Sequence, residues 1–293
     1  MLGERKAGTL RPMSVLALTV GIILAAALSA MAAGASASTL CVEEVAEGKV
    51  TGPTTVGGSA CNPGYEKVDL PSAAELETLN QVLPHVTYEA AGIDGKPTVE
   101  LSGVNVQIVN GEGNTWNVNG EGNLVIGYDE YAGTQTGSHD LILGDAGTFT
   151  SYGGILAGFG NKISAPYAAV IAGQDNHATA YAASVTGGEE NVASAQETSV
   201  SGGGSNEATG PYAWVGGGEV NKATGSGGGA AISGGTYNTA SGAASSISGG
   251  THNTAGGSLA SVAGGYENKA KADYSTILGG KLVEATVEYE AKL

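Results

Sequence analysis

Residues 168–208 read AAVIAGQDNHATAYAASVTGGEENVASAQETSVSGGGSNEA, and the pattern returns every fifteen residues. A glycine marks each turn: Gly158, Gly173, Gly188, Gly203, Gly218, Gly235, Gly250, Gly265 and Gly280. The step is fifteen throughout, except for seventeen between Gly218 and Gly235. Three residues after each marker stands an asparagine: Asn161, Asn176, Asn191, Asn206, Asn221, Asn238, Asn253 and Asn268. The last turn has Val283 there. A short fixed period means stacked copies of one small unit. Leu124-Val125-Ile126-Gly127 and Leu141-Ile142-Leu143-Gly144 announce the unit in irregular form. The period predicts an all-β fold, a parallel β-solenoid or β-roll of about eleven short coils, roughly 50 Å long at the spacing of neighbouring strands.

Each unit divides into inward and outward positions. Three residues before the marker stands an aliphatic, from Leu124, Leu141 and Ile155 through Val170 and Val185 to Ile277. Five before it the later coils carry small residues such as Ala168, Ala183 and Thr198, and five and seven after it Ala178 and Ala180, then Ala193 and Ala195. Residues two apart on a strand share a face, so two short strands per coil point these side chains inward. Glycine suits the tight reversals between them. The asparagines fall at a turn, where stacked amides can bond from coil to coil as a structural ladder. Two before the marker, Val125, Ile142, Leu156 and Ile171 fall on what the alternation makes an outer face. An apolar stripe there predicts an interface, strongest at the N-terminal end.

Composition fits such a stack. The chain has 293 residues, of which 50 are glycine and only 2 phenylalanine and 2 tryptophan, too few large side chains for an ordinary core. The net charge is −16, which argues against non-specific binding of nucleic acid or anionic membrane. At the N-terminus Arg5, Lys6 and Arg11 precede an apolar run from Val15 to Ala33, and Ala35-Ser36-Ala37 offers a cleavage site. This reads as a bacterial export signal over 1–37, leaving no membrane span in the mature chain; an uncleaved anchor is the alternative. The two cysteines, Cys41 and Cys61, predict a disulfide in an exported chain.

Further boundaries follow from local signals. Gly52-Pro53, Gly57-Gly58 and Asn62-Pro63-Gly64 suggest an irregular, disulfide-closed segment over 38–70. Residues 71–103 suggest a short helix and a first strand, serving as cap or neck. Pro71, Ser72 and Glu75 open the helix, Ala74, Leu76, Leu79, Val82 and Leu83 lie near one face, and Pro84 closes it. Period-two alternation predicts strands over 98–101 and 104–109, with Asn-Gly-Glu-Gly-Asn turns at 110–114 and 119–123. The roll is expected over 104–286 and a tail over 287–293.

The units Glu197-Thr198-Ser199-Val200-Ser201-Gly202-Gly203, with Asn206 and Ala208, and Ala260-Ser261-Val262-Ala263-Gly264-Gly265, with Asn268 and Ala270, resemble the YadA-like head repeats of trimeric autotransporter adhesins. The resemblance covers roughly 120–286 and implies a left-handed parallel β-roll, a homotrimer, and contact with extracellular matrix or a host surface. The family's period is near fourteen. No stalk or barrel sequence follows the last coil, so autotransport itself is not expected. The stretch Val104 to Ser164 is similar to a group of exported bacterial proteins sharing the repeat, with no activity implied.

The functional expectation is a secreted or cell-surface structural, adhesin-like protein with no catalytic role, cofactor or metal. The alternative is a module that binds an extended lattice, polysaccharide or ice. Its support is an outward hydroxyl file: Ser164, Thr179, Ser194, Thr209, Thr224 and Ser241. An enzyme is not expected, because His85, His139, His177 and His252 are scattered and no nucleophile set is legible. Calcium is not expected either: where the calcium nonapeptide needs aspartate, the two turns carry Thr115 and Leu124.

Overall fold

The computed structural model describes residues 39–43, 55–57, 65–69, 73–130 and 133–293. The expected export signal, Cys61 and hence the expected disulfide lie outside them. The chain divides into two compact units, Met1–Asn105 and Val106–Leu293.

In the first unit, β1 (Thr39–Glu43) pairs antiparallel with β2 (Thr55–Gly57) and with β3 (Tyr65–Asp69). The segment expected to be irregular therefore contains a small sheet. Gly52-Pro53 and Asn62-Pro63-Gly64 lie outside the described residues; β1 is the central strand, with β2 and β3 on either side of it. Helix α1 runs Ala73–Val82, and Pro84 sits in the 3-10 turn Leu83–His85 that follows. Ser72, and with it the capping box, lies outside the described residues. Leu79 and Val82 of the helix stripe are exposed. The hairpin β4 (Val86–Glu89) and β5 (Thr98–Leu101) closes the unit, with Asp94 and Gly95 at positive φ in its connection.

The expected strand over 104–109 does not form. Its alternation is real, but no neighbour offers a ladder, and an unpaired strand is not stable in water.

The second unit is the predicted roll. Its strands form two parallel sheets, one of twelve and one of ten. In the larger sheet, β6 (Leu124–Ile126) pairs with β7 (Leu141–Asp145), β7 with β9 (Ile155–Phe159), and β9 with β11 (Ala169–Val170). In the smaller, β8 (Thr148–Phe149) pairs with β10 (Lys162–Ile163). Two-residue strands then alternate between the sheets to Ala291–Lys292, so the expected tail supplies one more rung. Single-residue bridges from Phe159 through Gln174, Glu189 and Gly204 to Lys281 add a third line of pairing.

The core is three columns wide. Val170, Val185, Val200, Val215, Ile232, Ile247, Val262 and Ile277 come from the larger sheet, and Ala178, Ala193, Ala208 and their successors from the smaller. Ala168, Ala183, Thr198, Ala213 and their successors fill the corner between them. Almost every core side chain is small or β-branched, so stability rests on ladder bonds and close backbone packing.

Register corrects one expectation. Leu141 pairs with Ile155 and Ile155 with Ala169, steps of fourteen, whereas Ala169 pairs with Ser184, a step of fifteen. The extra residue enters between Val170 and Gly173. The inward aliphatic therefore stands two before the marker in the first coils and three before it from Gly173 onward. A one-residue slip exchanges the faces of a strand. Ile142 and Leu156 are accordingly core residues, 1% and 2% exposed, not members of an outer stripe. Leu124 and Ile155, expected inward, are exposed instead.

Candidate functional site

The asparagine column is the most regular polar feature of the roll. All eight members are buried. Asn206 shows the pattern. Its Nδ2 donates to the carbonyls of Gly202 at 3.0 Å and Gly218 at 2.9 Å, and its Oδ1 accepts from the backbone N–H of Asn221 at 3.0 Å. One side chain thus closes its own turn and ties it to the next coil. The amide-to-amide bond expected from the stacking exists at four steps, as from Asn221 Nδ2 to Asn206 Oδ1 at 3.2 Å. Bonds to backbone do most of the joining. Every side-chain polar atom of the column is engaged, as in a structural spine.

The column dictates the glycine before it. A Cβ on Gly203, where φ is 87°, would clash with the carbonyl oxygen of Gly218 and lie 2.7 Å from Asn206 Nδ2. The neighbouring Gly204 has open space around its missing side chain.

Of the four residues expected at an interface, Val125 and Ile171 are each 46% exposed. Ile142 and Leu156 lie in the core, and Val125, the ladder partner of Ile142, shares their face on the last strand of the sheet. The apolar surface that the structure does present in these coils consists of Leu124, Ile126, Ile155 and Ile171, with Leu141 and Leu143 half-buried among them.

Of the hydroxyl file, Ser194, Thr209 and Ser241 are exposed and Ser164, Thr179 and Thr224 half-buried. On the larger sheet the structure adds pairs flanking the buried aliphatic: Ser184 with Thr186, Ser199 with Ser201, and Ser246 with Ser248. Trp214 and Gly216 interrupt them.

The histidines have separate surroundings. His85 Nδ1 bonds the carbonyl of Ser102, His177 is exposed, and His252 stacks on Tyr237 with ring centroids 4.9 Å apart. His139 belongs to a polar cluster that spacing did not reveal, formed with Ser138 and Asp140. Asp140 sits in the corner column, one coil below Gly154 and two below Ala168. Its Oδ1 accepts from Gly154 N–H at 2.7 Å, while Oδ2 is buried without a partner. Burial raises its pKa from the ordinary 3.8 to about 6, against the opposing pull of the Gly154 N–H and of His139. The signal in the sequence was a carboxylate directly before Leu141-Ile142-Leu143, where later coils carry Ala, Thr or Ser.

The folded protein holds the Asp140 proton at a pH where the unfolded chain has released it. Stability therefore falls as pH rises from about 4 to about 6, and the cost is fully present above that. Asp140→Asn keeps the acceptor for Gly154 and removes the charge. It should raise stability at pH 7 by about 1–2 kcal/mol, allowing for partial screening. Urea titrations at pH 4 and pH 7 check this; an equal effect at both would refute the assignment.

No helix among the described residues is long and apolar enough to cross a membrane, and no three His, Cys, Asp or Glu side chains there are grouped to hold a metal ion. No known family and no curated protein matches the chain.

Proposed function

We propose that the chain is a secreted or cell-surface structural protein, adhesin-like and non-catalytic, whose roll associates as a homotrimer through its first coils. The observation that carries this is the apolar surface Leu124, Ile126, Ile155 and Ile171, exposed beside a core already complete without it. Exposed aliphatics grouped over several adjacent coils mark a contact surface. The resemblance to YadA-like heads supports three copies and a ligand in the extracellular matrix, on a host surface or among polysaccharides. In that reading the signal over 1–37 directs export and a Cys41–Cys61 disulfide staples the first unit.

Sedimentation equilibrium tests the proposal. The expected mass is three chains. Ile155→Asp with Ile171→Asp should reduce it to one while leaving the circular dichroism spectrum unchanged, because neither side chain belongs to the core. A single-chain mass for the unaltered protein would overturn the trimer. The paired hydroxyls Ser184/Thr186, Ser199/Ser201 and Ser246/Ser248 would then favour the second reading, a lattice-binding solenoid.

A further inference from the structure

The four residues Gly137–Asp140 fasten the turns of 106–123 to the roll. The Gly137 carbonyl accepts from Asn123 Nδ2 at 2.8 Å. Ser138 Oγ accepts from the backbone N–H groups of Asn119 at 3.1 Å and Gly120 at 3.2 Å. The Asp140 N–H donates to Asn123 Oδ1 at 2.9 Å. His139 holds the first turn from both ring nitrogens. Its Nδ1 lies 3.1 Å from the Thr115 carbonyl oxygen, and its Nε2 accepts from the Asn110 N–H at 3.2 Å.

Those partners admit one state of the ring. A carbonyl oxygen can only accept, so Nδ1 carries a hydrogen. A backbone N–H can only donate, so Nε2 is bare. The neutral imidazole with its hydrogen on Nδ1 satisfies both; the imidazolium satisfies one. Asn110 is 3% exposed, so its N–H has no ready replacement in water.

The surroundings give a charged ring little compensation. Cavities of about 510 Å³ and 320 Å³ flank it, and among the residues lining either one Asp140 is the only other titratable group. Glu112 and Glu121 belong to the turns themselves, each with its backbone N–H on an asparagine side chain. Asp140, whose pKa stands near 6, is ionised at neutral pH and largely neutral by pH 5. The carboxylate that could hold an imidazolium in place at neutral pH is thus lost by pH 5.

We propose that His139 is a pH-operated clasp: its protonation sets a second donor against the Asn110 N–H and releases the turn over 110–117 from the roll. The coils beyond Leu141 keep their ladders, so the change is local opening rather than unfolding.

Amide exchange of the whole protein, followed residue by residue by NMR and corrected for intrinsic rates, tests this. Between pH 7.5 and pH 5.0 the protection of Asn110 should fall about tenfold or more, with the amides of the later coils unchanged. His139→Gln supplies one acceptor and one donor without a charge change. It should keep Asn110 protected at both pH values. The imidazole ¹⁵N shifts of the unaltered protein should report hydrogen on Nδ1 at pH 7.5, a readout that survives if the variant does not fold. Hydrogen on Nε2, constant protection of Asn110 between pH 7.5 and pH 5.0, or an equal loss in His139→Gln would each overturn the clasp.

Discussion

Gly203→Ala should lower the stability of the roll by roughly 4 kcal/mol or more, while Gly204→Ala should change it by less than about 1 kcal/mol. The two glycines are neighbours in one run, and composition does not distinguish them. Geometry does. The Cβ at 203 would be driven into the carbonyl of Gly218 and against the amide of Asn206, and φ there is 87°. Neither obstacle can step aside. The carbonyl of Gly218 accepts from the Gly204 N–H at 3.0 Å as well as from Asn206. A methyl group therefore has to separate two coils or displace the asparagine, and each costs ladder bonds. At 204 no atom lies within 4 Å of the added methyl, and φ is outside the left-handed range. Urea midpoints of the two variants measure the contrast. Similar midpoints would mean that the coils can spread at the marker, and the account of the glycine column would fail.

The period carried the architecture, because every coil solves one packing problem with one residue set. What it could not carry was the place where the solution changes. The glycines from Gly144 to Gly158 are fourteen apart and those from Gly158 to Gly173 fifteen. Counting from the glycine places Leu156 outside; counting from its ladder partner Val170 places it inside. Only pairing decides, since both faces of that strand are aliphatic. Phe149 and Ile163 mark the same transition on the smaller sheet, where later coils have alanine. Bulky core residues and the fourteen-residue step occur together, so the first coils solve a different packing problem from the later ones. The cluster at 138–140 was hidden for another reason. It occurs once, and a reading built on recurrence discounts what does not recur. The sheet over 39–69 was hidden because proline and glycine clusters mark a reversal between strands as readily as they mark an irregular segment.

Asn206→Asp should be the most damaging single change in the spine, costing more at pH 7 than Asn206→Leu. The leucine variant leaves the Asn221 N–H without its acceptor and removes the donor from the Gly202 and Gly218 carbonyls. With one buried donor orphaned and two bonds lost, about 3 kcal/mol is expected. The aspartate keeps the acceptor but turns a carboxylate oxygen toward those same two carbonyls. A buried charge with acceptors on one side and no cation in reach is worse than a missing group. Protonation would restore a single donor, so the penalty of the aspartate variant should shrink as pH falls through its raised pKa, while that of leucine should not. Stability measured at pH 7 and pH 4 separates the two. A leucine variant less stable than the aspartate at pH 7 would show that the amide serves chiefly as an acceptor. The damage should also have a direction. Each Oδ1 accepts from the asparagine N–H of the coil that follows, from Asn161 through to the N–H of Val283. Amide protection should therefore be lost first at Asn221 and only later at Asn191, whose own N–H still donates to Asn176 Oδ1.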